Sequence, residues 1–305
     1  MGLRKLGVDS RLFDPIPSKN PVYPGGVGIP TEDRGCPIDS SLEWALEADV
    51  IVSHSGHFGS PFEKTSQPIA QCLHGRPQST FLSERDGRGA IITYYNKINE
   101  EARTKAAVTF WPEHVPYHEV TFTKVPVHNV GSMVDLDWWK PGLDAPHTWN
   151  AAGGGGGGWF NAVFADGFRD DADGFRPISA WALWSRKNPG AKFHCYGRPQ
   201  PAKGFDAILG RCIKEGTIGE YRPWMKQEYL RSAYNSADCL MTPHRIATRA
   251  IREAMATGCP VAYIGDDLKF EPPTQTRAEA RAMAEKMFDP EVVAKRFKAI
   301  LESLA

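Results

Sequence analysis

Apolar and polar positions follow a regular spacing after residue 158. Short apolar runs alternate with longer segments whose length suits helices. The apolar runs predict strands at 159–165, 191–196, 217–221, 238–242 and 260–264. The segments between and after them predict helices at 177–187, 204–214, 223–236, 243–257, 276–287 and 290–304. This alternation predicts a parallel sheet covered by helices.

The first half of the chain is less regular. It predicts strands at 10–13, 48–53 and 90–95, and helices at 40–47 and 100–107. Residues 15–37 are rich in proline and glycine and predict a long loop, a feature that often has a function in a compact domain.

Six consecutive glycines at 153–158 suggest a division of the chain. Such a run has no side chains to pack, so it predicts a flexible linker. The Lys and the Ser or Thr that complete a phosphate-binding P-loop do not follow it. We therefore expect a first domain at 1–150, a linker at 151–158 and a second domain at 159–305.

Composition narrows the classes of function. Lys plus Arg and Asp plus Glu number 36 each, and this neutral balance argues against binding duplex DNA through its phosphates. The six cysteines form no C-x-x-C pair and are widely scattered, so no disulfide framework is predicted. No apolar run reaches the roughly 18 residues of a membrane span, and no signal peptide is recognised. We expect a cytoplasmic protein, with peripheral membrane contact left open.

The strongest local signal runs from Thr242 to Val261. Thr242 can cap a helix, Pro243 fits its first turn and Gly258 suits its end. Such a helix would direct the free amides of residues 243–246 into a ligand crevice, where they favour a diphosphate. Glu253 could accept hydrogen bonds from a ribose diol, or it could pair with Arg249 one turn earlier.

Several segments resemble the family-4 glycosyltransferases. Residues 236–243 and 251–261 are similar to a strand ending in a Pro-Ser-like turn and a helix reading Glu-Ala-Met-Ala-x-Gly-x-Pro-Val. Residues 188–197 resemble the strand before the nucleotide-binding loop, and 127–141 the interdomain signature. The resemblance implies an α/β chain of the GT-B class, with two Rossmann-like domains built on parallel sheets. The implied reaction moves a sugar from a nucleoside diphosphate sugar to an acceptor hydroxyl, with retention at the anomeric carbon.

The resemblance also implies roles for individual residues. Glu253 would hold the donor ribose and Arg169 the donor diphosphate, with Arg176 in place of a second cation that is usually Lys. For both arginines, pairing with the acids at 170, 171 and 173 is the alternative. The other residues expected to bind the donor are Gly197, Pro243, His244, Arg245 and Ile246. No cofactor is implied, and the donor is a substrate.

Acceptor-side residues are expected in the first domain. His74 could act with Arg169 in catalysis, either by orienting the acceptor or by contacting the donor sugar, and His54, His57, Gly25 and Gly26 would lie on the acceptor side. The alternative is that the three histidines only form hydrogen bonds within their loops. A metal site built from these histidines is disfavoured, because no fourth ligand is spaced to match. His114 and His118 are four residues apart, but Pro116 between them argues against a shared helical face.

Two departures from the family limit what the resemblance implies. The family has an acid eight residues before the ribose glutamate, and Arg245 stands there instead. Either the donor sugar is unusual, for example acidic, or the contact with the sugar is lost. The chain also opens on what resembles the end of the family's first helix, so we expect a reduced first domain. Residues 24–30 are the only stand-in for the usual glycine-rich turn, and they follow the wrong strand.

Three functions therefore stay open at this point. The first is a glycosyltransferase whose acceptor is a glycan, a lipid or a modified base. The second is a non-catalytic GT-B-like protein for binding or assembly. The third is a phage-type glycosyltransferase acting on modified nucleic-acid bases, against which the neutral charge counts.

Overall fold

A computed structural model describes twelve stretches of the chain. These are residues 2–10, 12–13, 32–33, 36–39, 42–54, 65–73, 101–122, 124–142, 160–166, 175–197, 205–222 and 225–305. Two units emerge from the contacts: Met1–Ser132 together with Pro290–Ala305, and Met133–Asp289. The predicted glycine linker lies outside the described residues, so the domain bounds at 150 and 159 stay a prediction.

The elements are numbered here in chain order. The strands are β1 (Leu12–Phe13), β2 (Glu32–Asp33), β3 (Cys36–Asp39), β4 (Ile51–His54), β5 (Ile69–Leu73), β6 (Thr104–Thr109), β7 (Val127–Asn129), β8 (Asn161–Ala165), β9 (Lys192–Tyr196), β10 (Ile218–Arg222), β11 (Cys239–Thr242) and β12 (Val261–Tyr263). The helices are α1 (Gly2–Lys5), α2 (Leu42–Glu47), α3 (Val115–Thr121), α4 (Phe175–Trp184), α5 (Phe205–Lys214), α6 (Gln227–Ser236), α7 (Arg249–Ala256), α8 (Arg277–Phe288) and α9 (Pro290–Glu302). Short 3-10 turns cover Pro112–His114 and Ser185–Lys187.

The second unit is built on a five-stranded sheet of order β10-β9-β8-β11-β12, in which every pair is parallel. Successive residues of a strand face opposite sides, so a strand inside the sheet contributes to two cores. In β8, Ala162 and Phe164 join the core around Trp181, whereas Val163 joins the core around Tyr234. Helices cover both faces, which explains why these strands read as continuous apolar runs. The parallel sheet predicted from the sequence is confirmed.

The first unit contains a four-stranded parallel sheet of order β4-β5-β6-β7. Cys72 of β5 and Val108 of β6 pack with Val130 and with Val293 of α9 in one buried cluster. This packing explains why the last helix of the chain belongs to the first unit. A separate small sheet pairs β3 in parallel with β1 and antiparallel with β2.

The helix predicted at 100–107 is wrong, because Thr104–Thr109 forms strand β6 between β5 and β7. The alanines of this segment favour a helix locally, but burial on both faces of the sheet overrides that preference. The strand predicted at 90–95 lies outside the described residues. Residues 2–10 contain helix α1, and the expectation of a reduced first domain stays a prediction.

His114 and His118 correct a second expectation. Both side chains are buried, and their ring centroids are 6.2 Å apart. Pro116 lies in the first turn of α3, where its missing N–H breaks no helical hydrogen bond, so it does not separate the two histidines.

Candidate functional site

The order of strands in the second unit reverses at β8. From β8 the chain moves outward to β9 and β10, and it then returns to build β11 and β12 on the other side. In open parallel sheets, ligands bind outside the carboxyl ends of the strands at such a switch point. The topology therefore places the candidate site at the ends of β8 and β11.

An aspartate and a histidine meet at this switch point. Asp166 directly follows β8, and His244 lies two residues after β11. His244 Nε2 is 2.9 Å from Asp166 Oδ2, and the two side chains are 23% and 24% exposed. The Thr242 hydroxyl accepts a hydrogen bond of 3.2 Å from the His244 amide, which fixes the turn after β11. Both polar groups thus remain accessible from solvent while being oriented by the sheet.

Helix α7 begins later than the sequence predicted. It starts at Arg249 with Thr248 as its N-cap, so the segment from Pro243 to Ile246 is a loop. The turn at Thr242, the His244 contact with Asp166 and a bond of 2.7 Å from the Thr248 amide to the Ile246 carbonyl stabilise this loop. The expectation of helical amides at 243–246 is wrong, because the free donors of a helix lie in its own first turn.

Glu253 lies in the second turn of α7, with its side chain only 6% exposed. Its Oε1 accepts a hydrogen bond of 2.6 Å from Arg249 Nε. Burial raises the pKa of the Glu253 carboxyl, although Arg249 and Arg252 oppose the shift. The local pair considered from the sequence is therefore present, and the ribose role of Glu253 stays a prediction.

Three further donor-site candidates lie at the same edge of the sheet. Arg176, near the start of α4, forms an ion pair of 2.6 Å with Asp266 after β12. Arg245 extends its guanidinium over the ring of Tyr263, with 5.2 Å between the guanidinium carbon and the ring centroid. Gly197 follows β9, where its amide donates a bond of 3.0 Å to the Arg222 carbonyl.

A hydrogen-bonded cluster lies at the ends of β9 and β10 and was not predicted from the sequence. Glu220 accepts from the Tyr196 hydroxyl at 2.7 Å, and from the Tyr229 hydroxyl and Arg222 Nε at 2.6 Å each. Burial opposes ionisation of Glu220, yet the hydrogen bonds from Tyr229, Tyr196 and Arg222 outweigh it and lower the pKa of its carboxyl. Burial and the contact with Glu220 raise the pKa of Tyr229 to about 12. The guanidinium carbon of Arg222 is 4.1 Å from the Tyr229 ring centroid, so the planar guanidinium adds to the flat surface of the ring.

The remaining candidates cannot be placed. Arg169, His57, His74, Gly25 and Gly26 lie outside the described residues, and only the backbone of His54 is described, at the end of β4. Within the described stretches, no three His, Cys, Asp or Glu side chains form a group that could bind a metal ion. None of the helices described is both long and apolar enough to cross a bilayer.

Comparison with known proteins gives similarity in structure alone. No family model and no curated protein matches the sequence. Anabaena HepE in complex with UDP is similar with a TM-score of 0.60 and 15% identity, over 86% of this chain and 81% of that chain. The pneumococcal O-GlcNAc transferase GtfA, in complex with UDP and GlcNAc, is similar with a TM-score of 0.54 and 12% identity, over 78% of this chain. The chain has the GT-B fold.

The GT-B fold does not by itself determine a reaction. This chain spans 53% of GtfA, about half of that protein's length. The N-terminal domain of Candida albicans trehalose-6-phosphate phosphatase is also similar, with a TM-score of 0.63 and 10% identity over 87% of this chain and 72% of that one. At such identities the function of this GT-B chain has to be argued from its own residues.

Proposed function

We propose that this GT-B chain binds a nucleoside diphosphate sugar at the carboxyl edge of its second sheet and transfers the sugar to an acceptor hydroxyl. The observation that carries the proposal is the Asp166–His244 pair at the switch point between β8 and β11. Parallel sheets bind nucleotides at such points. The complexes of HepE and GtfA with UDP support the choice of ligand.

The proposed donor lies with its diphosphate near the switch point. Amides in the first turn of α7, rather than those of residues 243–246, would face its negative charge. Arg176 and Arg169 would add positive charge, the former by exchanging its contact with Asp266. Glu253 would accept from the ribose hydroxyls in place of Arg249.

The proposed donor extends in a defined direction along the sheet edge. Tyr229 and Arg222 offer an aromatic and planar surface at the ends of β9 and β10, suited to the base. The diphosphate then lies centrally at β8 and β11, and the sugar lies toward β12.

The proposed chemistry depends on stabilising the leaving group. The bond between the anomeric carbon and the phosphate oxygen breaks, a bond from that carbon to the acceptor oxygen forms, and the acceptor proton passes to the departing diphosphate. Cations and amides aligned on the departing diphosphate lower the barrier without requiring a metal. Retention at the anomeric carbon, implied by the resemblance to family 4, belongs to the same proposal and is tested by NMR of the product.

A thermal-shift screen with UDP, GDP, ADP and CDP tests binding, because a ligand of the folded state raises Tm by mass action. We expect one diphosphate to raise Tm, and we expect Asp166→Asn to diminish that rise. Arg186→Ala is a matched control, since Arg186 is exposed in the 3-10 turn after α4. If no diphosphate shifts Tm, the proposal fails. Binding without sugar transfer to glycan, lipid or modified-base acceptors would identify a binding or assembly protein instead.

A further inference from the structure

Among the described residues, Arg245 is a cation of the candidate site that forms no ion pair. Its side chain is exposed, and within the described part of the chain no carboxylate lies within ion-pair distance of it. The neighbouring cations differ, since Arg176 pairs with Asp266 and Arg249 pairs with Glu253, each at 2.6 Å. Positive charge at this point of the sheet edge is therefore available to a ligand.

The position of Arg245 is set by Tyr263, the last residue of β12. The guanidinium carbon is 5.2 Å from the Tyr263 ring centroid, within the range of a cation–π contact. This contact restrains a long side chain at the edge of the sheet. A planar guanidinium held in this way can bind a carboxylate through two parallel hydrogen bonds.

Arg245 lies to one side of the expected diphosphate position. Strands of a sheet are about 4.8 Å apart, so the edge from β9 to β12 extends over roughly 14 Å. The Asp166–His244 pair lies in the middle of this edge. The Tyr229–Arg222 surface lies on the β9 side of the pair, and Arg245 and Tyr263 lie on the β12 side. A donor with its base over Tyr229 and its diphosphate at the centre brings its sugar to Arg245.

We infer that the donor sugar carries a carboxylate, as in a uronic acid, and that Arg245 binds this group. The inference rests on the proposed function. An uncharged sugar would leave the guanidinium without an anionic partner, whereas a uronic acid supplies one of matching shape. Arg245 is thereby assigned as a specificity-determining residue that contacts the substrate.

Isothermal titration calorimetry with UDP, UDP-glucose and UDP-glucuronate tests the inference. The wild-type protein is expected to bind UDP-glucuronate about 10- to 100-fold more tightly than UDP-glucose, the scale of a hydrogen bond to a charged group. Arg245→Ala should abolish this preference and leave the affinity for UDP unchanged. Arg245→Lys should keep part of it, because the charge stays and the paired donors are lost. Arg186→Ala should behave like wild type.

The outcomes separate the inference from the function on which it rests. Equal affinities of the wild-type protein for the two sugars, together with measurable UDP binding, would overturn the inference alone. An Arg245→Ala variant that weakens UDP and both sugars equally would overturn it as well, since Arg245 would then bind phosphate. The titration uses the nucleotide that raises Tm in the screen if this is not UDP, and failure of the wild-type protein to bind any of the four diphosphates would overturn the proposed function together with the inference.

Discussion

Replacing Glu253 with glutamine removes a charge and keeps nearly the same shape. The side chain is almost buried, and its Oε1 is 2.6 Å from Arg249 Nε, a contact that a glutamine oxygen can still accept. If Glu253 binds the ribose, the variant loses charge-assisted hydrogen bonds to the diol. That loss costs about 1–3 kcal/mol of binding free energy, or roughly a 5- to 150-fold higher Kd for UDP.

The same substitution is expected to leave stability unchanged or higher. Burial raises the pKa of Glu253 above its ordinary value of 4.5, so between the two values the folded state binds more protons than the unfolded state. Stability then falls as pH rises through this window, and the wild-type protein bears the full penalty above the folded pKa. The advantage of Glu253→Gln should be present at pH ~7 and vanish below the ordinary pKa of glutamate.

Urea unfolding at pH ~7 and at a pH below the ordinary pKa of glutamate measures the effect on stability. Calorimetry with UDP measures the effect on binding. Glu285→Gln is the matched control, because Glu285 forms an exposed ion pair with Arg281 at the same helical spacing. The reasoning is refuted if Glu253→Gln unfolds at lower urea and binds UDP as the wild-type protein does. Glu253 would then serve only the ion pair with Arg249.

Three further substitutions test the site and its support. His244→Asn should raise the Kd for UDP by about tenfold without lowering Tm, and an unchanged Kd would remove His244 from the site. Glu220→Gln should lower the unfolding free energy by about 1–3 kcal/mol at neutral pH. Because the pKa of Glu220 is lowered by folding, its contribution is present above pH ~4.5 and is lost as pH falls through the folded value, and a pH-independent urea midpoint difference would contradict this. Gly219→Ala should lower Tm, since its Cβ would lie 2.4 Å from His194 Cε1, and an unchanged Tm would show that His194 can move.

The elements of the second unit were predictable because their signals are local. Strands β8, β9 and β11 are short apolar runs buried on both faces, and such runs are visible in the sequence. Strand β6 was not, since Thr104–Thr109 contains residues that also suit a helix and only its two neighbouring strands decide between them. The start of α7 was misplaced for a similar reason, because the contact of His244 with Asp166 favours a loop over a helical turn.

The candidate site was predictable only in part. Residues following β11 were expected to face a ligand, and His244 and Arg245 do lie at the carboxyl edge of the sheet. Asp166 was missed, because one acid after a strand has no distinctive pattern. Its partner is 78 positions away, and their contact depends on β8 lying beside β11. The order of strands in a sheet is a property of tertiary packing, which spacing along the chain does not encode.

The packing of the sheet explains how the same architecture can support different ligands. Trp181 stacks on Phe193 of β9 with 5.3 Å between ring centroids, and Phe164 of β8 belongs to the same buried cluster. Close packing fixes the strand ends and therefore the separation of Asp166, His244 and Arg245, which all lie on connections just beyond them. Residues on these connections can change without disturbing the core. Structures with a similar fold share only 10–15% sequence identity with this chain, so the fold tolerates many substitutions. The charge at a loop position such as Arg245 can therefore differ according to the ligand that is bound. The choice of substrate in this chain is therefore expected to lie in the loops after β11 and β12, where the Arg245 variants probe it directly.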